Sequence, residues 1–343
     1  MTLSAPCLSR GLPCYTYEIM TNRVLVRSRS VLHSSHNLRR ISKVVLQLLF
    51  DLFLNLRLAR SRRALRSQLR QILLDRTIHF VDVGAAGDIP PRWKSAQQYV
   101  SYVGFEPDER SRAVIQNAPN RARSYIIKSE ALGEETGAEK PFYLCRKPQV
   151  SSSYLPNRDF LDLFPNPQRF DVVDVAPMRL SRMDDLGLSN VDFIKVDTQG
   201  GELSILKGAP DTLKDCVGLE IEVQFSPLYE DVPLFGEVSA FLNAQGFEFI
   251  DFVDLCRWQR VKHRGPGQCV FGDALFFRTP ESFISSSNLP SGKLASYLGC
   301  LHLYQRFDLI RESARQMSFY QYDDLPEFRA FFSTIEKKIG NHF

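Results

Sequence analysis

The sequence predicts an α/β fold, a mainly parallel twisted sheet with helices on both faces and helical extensions at each end. Three observations carry this reading. Short apolar runs alternate with amphipathic helical runs from about Thr77 to Arg278, the pattern of successive βαβ units. The junctions carry Gly, Asp or Pro, residues that end one element and start the next. Outside that span the alternation stops and longer helical stretches take over. The chain therefore divides into a basic arm with an amphipathic helix (1–76), an α/β core (77–278) and a helical extension (279–343).

In order, residues 1–40 show no sustained period and are rich in Ser and Arg, so no element is assigned there. Ser42 to Asp75 lacks Pro and Gly and is predicted helical. Strands are predicted at Ile78–Val83, Tyr102–Phe105, Ser124–Lys128, Asp192–Val196, Gly218–Val223, Phe247–Asp251 and Ala274–Arg278. Helices are predicted near Arg92–Gln98, Glu109–Asn117, Gly201–Lys207 and Phe235–Ala244. An insertion covers about Lys140–Leu180, with Pro148, Pro156, Pro165, Pro167 and the run Ser151–Ser153. Pro280 to Pro290 is predicted to be a linker, followed by helices over Lys293–Ser318 and Pro326–Ile339.

The 343 residues carry a formal charge of +4, too little by itself to indicate a polyanion partner. Its distribution says more: residues 1–75 hold 13 Lys and Arg against 3 Asp and Glu, the rest 30 against 36. A basic arm thus precedes a mildly acidic body; it suits lipid headgroups or nucleic acid, or is simply a solvated tail. Within it, Val44–Ala59 is nearly all apolar, with Gln47, Asp51 and Asn55 spaced by four to make one polar stripe. The run is shorter than the ~20 residues that span a bilayer and lies too far from the first residue for an ordinary signal peptide. A helix packed on the core or a partner subunit is favoured over an interfacial membrane helix, though both fit. The cysteines (Cys7, Cys14, Cys145, Cys216, Cys256, Cys269 and Cys300) form no C-x-x-C pair and are odd in number. No zinc spacing or disulfide framework is visible, which points to a reducing, cytoplasmic setting, membrane-peripheral if the 44–59 helix binds lipid.

The sharpest local signal is Phe80-Val-Asp82-Val-Gly84-Ala85-Ala86-Gly87-Asp88. An apolar strand ends in an acid and enters a glycine turn, at the strand edge where Rossmann-like sheets bind nucleotides. Gly84 and Gly87 permit positive φ and close approach of a ligand. Tyr102-Val-Gly-Phe-Glu106-Pro107 follows, with Glu106 placed 22 residues after Gly84; an acid there can bind both ribose hydroxyls of an adenosine. The turn lacks the dinucleotide pattern G-x-G-x-x-G, and Asp88 would repel a pyrophosphate. Asp82 and Asp88 tolerate a sulfonium and an ammonium, so charge favours S-adenosylmethionine over NAD.

Farther on, Asp192-Phe-Ile-Lys-Val-Asp197-Thr-Gln-Gly200-Gly201-Glu202 places Asp197 at a strand end beside the first strand, facing the transferable methyl. Glu220 and Glu222 fall on one face of the next strand. Asp197 and Glu222 are the candidates to orient an acceptor or take its proton, the plainer alternatives being a turn-stabilising carboxylate and an ion pair. Glu202 is a third, weaker catalytic candidate, or a helix N-terminal charge. His263 sits in a Lys-His-Arg-Gly-Pro-Gly loop and reads as incidental.

The stretch Phe193-Ile-Lys-Val-Asp197-Thr-Gln-Gly-Gly-Glu202-Leu-Ser-Ile-Leu-Lys207-Gly208-Ala209 resembles the hallmark of the FkbM methyltransferase family. Asp82–Gly87, Gly104–Pro107, Glu130–Gly133, Glu222–Tyr229, Gly246-Phe247 and Asp273–Phe276 resemble its other motifs in order and spacing. The resemblance implies a class I methyltransferase fold and S-adenosylmethionine. Asp82, Gly84, Ala85, Gly87, Glu106, Pro107 and Asp197 would then line the cofactor, with Glu130 and Ala131 near the adenine. It also implies O-methylation of hydroxyls on sugars, polysaccharides or natural products, hence a small-molecule or glycan acceptor and no nucleic-acid partner. No metal requirement follows. Ala86 stands where the family often has Asn, and Thr198-Gln199 where a hydrophobic-Glu pair is commoner. The insertion, through Tyr154, Asn157 and Phe160, would cover a sugar ring. Two other readings stay open: a nucleic-acid methyltransferase using the basic arm, and a non-catalytic binding module.

Overall fold

The computed structural model describes residues 63–343 except 86–88, 117–119, 262–263, 286–288, 320–325 and 340–343. The 44–59 helix, Gly87, Asp88 and His263 therefore lie outside the described residues. Arg60–Phe343 form one compact unit.

The main sheet contains β1 (Ile78–Val83), β2 (Val100–Phe105), β3 (Ser124–Lys128), β7 (Phe193–Val196), β8 (Gly218–Gln224), β9 (Glu248–Trp258) and β10 (Gln268–Phe277). Their order is β3-β2-β1-β7-β8-β10-β9. Only β10 runs against its neighbours, so the chain reverses order between β1 and β7. That switch point is where open α/β sheets bind ligands, at the carboxyl ends of the strands.

Alternation of side chains divides the core in two. Phe80, Phe193, Leu275 and Phe277 face one layer, built from Trp93, the helix through residues 63–73 and the helices Ser291–Leu303, Phe307–Phe319 and Pro326–Ile339. Val81, Ile194, Val196, Leu219 and Ile221 face the other, against the helices Glu202–Lys207 and Phe235–Ala244. Helices thus cover both faces, as a mainly parallel sheet requires. Residues 294–303 of Ser291–Leu303 are all buried, which makes this helix an internal pillar. The predicted helix Lys293–Ser318 is broken after Leu303. Gln305 adopts φ 58°, its N–H reaches the His302 carbonyl at 3.1 Å and the Arg306 N–H the Leu301 carbonyl at 2.9 Å, a Schellman ending that needs no glycine here.

Other elements differ from expectation. Arg92–Gln98 forms two 3-10 turns, Trp93–Ser95 and Gln97–Tyr99. Pro210–Asp215 and Pro280–Ile284 are helical. The predicted insertion contains strands β5 (Glu139–Cys145) and β6 (Val172–Ser181), which with β4 (Ala131–Leu132) make a second sheet, β4-β6-β5. Pro141 and Pro177 lie opposite each other in the β5–β6 ladder. β4 pairs only with Leu180-Ser181, so at Pro177 one side of β6 is unpaired and proline is tolerated.

Candidate active site

The bend after β1 is held from two sides. The N–H groups of Gly84 and Ala85 both donate to the Phe105 carbonyl, at 2.9 and 3.1 Å. Gly84 has φ 79°, and a Cβ there would stand 1.9 Å from the Asp197 carbonyl oxygen; only glycine lets β1 and β7 meet so closely. At the end of β2, Glu106 is 7% exposed and accepts the Asp108 N–H at 2.8 Å through Oε1. Burial pushes its carboxyl up to about 7, and the charge of Asp197 acts in the same direction. Asp82 is buried, accepts the Tyr102 hydroxyl at 2.8 Å through Oδ2, and leaves Oδ1 with no hydrogen-bond partner. Burial raises its carboxyl against the lowering effect of Lys195. Ala85 and Ala131 are buried, Pro107 and Glu130 half-buried. Glu130 precedes β4, directly after the strand that neighbours β2.

The candidate catalytic edge lies across β7. The Asp197 N–H donates to the Val83 carbonyl at 2.9 Å, which fixes the strand end beside the cofactor bend. Low-dielectric surroundings act to raise the Asp197 carboxyl, but Lys195, with Nζ at 3.1 Å, more than offsets them and holds it below its usual range. Glu222 is buried, and burial together with the charges of Asp197, Glu202 and Asp273 pushes its carboxyl well up. One carboxyl of the pair is thus ionised and the other protonated, as expected of carboxylates sharing a small volume. Gln199 joins them: its Nε2 donates to Asp197 Oδ1 at 3.1 Å and to Glu222 Oε2 at 2.5 Å, while its Oε1 accepts the Tyr229 hydroxyl at 3.1 Å. Gln199 has φ 59° and is gripped from the insertion, where the Ser152 hydroxyl donates to its carbonyl at 2.6 Å.

Glu202 is placed differently from the other two catalytic candidates. Its Oε1 accepts from the Thr198 N–H (2.8 Å), the Thr198 hydroxyl (3.1 Å) and the Gly200 N–H (3.1 Å), and Oε2 from Gly200 at 2.9 Å. Burial raises its carboxyl and these donors counter it; the geometry is that of a clamp on the Asp197–Gly201 turn. Of the insertion residues, Tyr154 approaches the turn, its Cδ2 lying 3.3 Å from where a Gly200 Cβ would be. The Asn157 side chain caps the helix Arg158–Leu161, and Phe160 packs on Phe164. Neither is brought to the turn.

Sequence reasoning passed over Lys195, Gln199, Tyr229, Gln224 and Asp273. Period-two alternation from Asp197 and Glu222 marks Lys195 and Gln224 as neighbours on the same face. Asp273 needed the antiparallel register of β10, in which it sits opposite Glu222. Tyr229 needed the fold of the loop after β8.

The arrangement fits an adenosyl sulfonium. The partnerless Asp82 Oδ1 is an acceptor awaiting a donor, Gly84 presents bare backbone, Glu106 can take ribose hydroxyls, and the carboxylates outnumber Lys195 around which they gather. No metal-ligating group of three or more His, Cys, Asp or Glu occurs among the described residues, and none of their helices is long and apolar enough to cross a membrane.

Residues 82–249 match the family described as the methyltransferase FkbM domain. Among solved structures, the chain is similar to methyltransferase FkbM from Methylobacillus flagellatus KT, with 18% identity and TM-score 0.35; the match covers 59% of this chain and 43% of that one. It is similar to magnesium protoporphyrin IX methyltransferase from Synechocystis PCC 6803 with bound SAM, with 9% identity, TM-score 0.32 and coverage of 64% and 80%. It is also similar to precorrin-6y C5,15-methyltransferase from Geobacter metallireducens GS-15, with 13% identity, TM-score 0.29 and coverage of 64% and 87%. The chain thus spans less than half the length of the first of these. No curated protein matches the chain. Residues 82–249 thus match the FkbM methyltransferase domain, whose cofactor is S-adenosylmethionine.

Proposed function

We propose that this methyltransferase methylates a hydroxyl of a sugar, glycan or natural product. The observation that carries the reading is the Asp197–Gln199–Glu222 constellation at the carboxyl edge of the sheet, beside the cofactor bend. When bound, S-adenosylmethionine supplies an electrophilic methyl carbon. A hydroxyl is a poor nucleophile until its proton leaves. Asp197, kept ionised by Lys195, accepts that proton, and Gln199 holds the carboxyl aimed while Glu222 stays protonated. Glu106 and Asp82 bind and orient the adenosyl and methionyl ends, and much of the acceleration comes from that alignment. Products are a methyl ether and S-adenosylhomocysteine. Nucleic acid is disfavoured as acceptor, because the carboxylates of Asp197 and Asp273 at this edge repel phosphates. Membrane contact or self-association through residues 44–59 remains a proposal from sequence alone.

Incubation with methyl-labelled S-adenosylmethionine and panels of polyols, oligosaccharides and RNA tests the reading. Label is expected in an alkali-stable ether of a hydroxylated compound, reduced at least ~100-fold by Asp197→Asn, the scale of a lost general base. Label entering RNA, or a nitrogen, contradicts it.

A further inference from the structure

The carboxylates at this edge exceed what the cofactor needs. Asp82, Glu106 and Asp197 lie on β1, after β2 and after β7, around the bend. Beyond Asp197, away from the bend, the row continues through Glu222 on β8, Asp273 on β10 and Asp254 on β9. Glu222 and Asp273 are directly opposite, as are Asp273 and Asp254. With Glu222 protonated, the like charges left opposite each other are those of Asp273 and Asp254, a pairing that destabilises a sheet. Here nothing intervenes: the Asp273 carboxyl makes no hydrogen bond or ion pair with any described residue, and burial followed by the charge of Glu220 pushes it up to about 7. The cation that acts on it, Lys195, already bonds Asp197.

A second feature lies on the same face of β8. Gln224, two residues past Glu222 on the same face of β8, is 3% exposed, and its Oε1 has no hydrogen-bond partner. Its Nε2 lies 3.8 Å from where a Gly200 Cβ would stand, a point that Tyr154 Cδ2 approaches to 3.3 Å. A buried amide carbonyl left without a donor costs about 1–3 kcal/mol, so this one awaits a donor from a ligand. The amide stands beside the catalytic turn, on the side of β7 away from β1 and β2.

We propose that the acceptor carries an ammonium group close to the hydroxyl that is methylated, as in an amino sugar, and that Asp273 holds this group while Gln224 accepts a further N–H or O–H. The inference rests on the hydroxyl-acceptor reading above and names its substrate class. A neutral sugar would leave the Asp273 carboxylate opposite Asp254, with Lys195, which already bonds Asp197, as the one cation acting on it. An ammonium supplies a counter-charge and up to three donors.

The test uses the full chain saturated with S-adenosylhomocysteine and titrated calorimetrically at pH 7 with two probes, a tetramer of β-1,4-linked glucosamine and its fully N-acetylated counterpart. They share a backbone and its hydroxyls and differ in the charged amine. The glucosamine tetramer is expected to bind at least tenfold tighter, and Asp273→Asn to bring the two within about twofold while S-adenosylhomocysteine still binds. Gln224→Met, which keeps the volume, is expected to weaken the glucosamine tetramer about tenfold. Equal binding of the tetramers, preference for the acetylated one, or a preference that survives in a folded Asp273→Asn overturns the ammonium and leaves the hydroxyl reading standing. Binding of neither tetramer to the loaded wild type overturns both. If Asp273→Asn fails to bind S-adenosylhomocysteine, the wild-type ratio and the Gln224→Met result decide.

Discussion

In the proposed cofactor site, Glu106 would couple cofactor capture to pH. Its carboxyl is pushed up to about 7 by burial, and the negative charges of Asp108 and Asp197 add to this. Only the ionised form accepts hydrogen bonds through both oxygens. S-adenosylmethionine should therefore bind more weakly as pH falls below about 7, by up to ~tenfold per pH unit, and approach a plateau above it. Calorimetric Kd values between pH 5.5 and 8.5 check this; a flat profile would show that Glu106 stays charged when empty. Gln199 is the second instructive residue. Its amide gives one hydrogen to each carboxyl of the Asp197–Glu222 pair. Gln199→Glu replaces that donor with a third acid, so the methylation rate should fall at least ~tenfold at pH 7 and its acid limb should move to higher pH. An unchanged pH profile in the variant would remove Gln199 from the account.

At the scale of elements, the site is a meeting of strand ends, and glycine decides how near they come. Gly84→Ala puts a methyl group 1.9 Å from the Asp197 carbonyl oxygen at φ 79°. The strain alone is ~1–3 kcal/mol, and relieving the clash must part β1 from β7. Thermal unfolding should show a lowered Tm, and S-adenosylmethionine binding should be lost first; wild-type values for both would mean that the bend tolerates widening. The main sheet was legible, and the candidate cofactor residues could be placed on it, because each strand is a short apolar run closed by a distinctive residue. Ile78–Val83, Ser124–Lys128 and Phe235–Ala244 occur with the predicted bounds. Strands β5 and β6 were hidden because they are half-exposed and carry Pro141 and Pro177. β9 and β10 extend well beyond their predicted lengths, since three register shifts break the alternation that marks a strand. Lys195 and Asp273 were hidden for another reason: a charge in a strand reads as solvent-facing until the register shows its neighbours.

On the scale of the whole molecule, the C-terminal helices complete the buried acid layer. The Tyr304 hydroxyl donates to Glu220 Oε2 at 2.6 Å and accepts from Trp93 Nε1 at 3.2 Å; Lys293 Nζ bonds Asp192 Oδ1 at 2.7 Å. The extension is therefore part of the same core as the sheet, which alternation alone could not reveal. Gathering acids in that core has a thermodynamic signature. Glu106 and Asp273 titrate at about 7 when folded, against ~4 in an unfolded chain. Between those values the folded state holds more protons, so stability falls as pH rises. Asp197 and Asp108 are shifted the other way, and their contribution is lost only as pH drops below ~4. The ligand-free protein should thus melt at a lower temperature at pH 8 than at pH 5.5, and saturating S-adenosylmethionine should narrow the gap. Scanning calorimetry at the two pH values reads this directly; a higher Tm at pH 8 without ligand would contradict the buried-acid layer.

The central claim is that the Gly84 bend and Glu106 together hold an adenosyl sulfonium. Titration of the full chain with S-adenosylmethionine and, separately, with NAD tests it most directly, in the wild type and in Glu106→Ala. The account predicts micromolar-range binding of S-adenosylmethionine alone and a loss of at least ~100-fold in the variant, the scale of a buried charged hydrogen-bond acceptor removed. Binding of NAD in preference, or equal affinity for S-adenosylmethionine in wild type and Glu106→Ala, would contradict it.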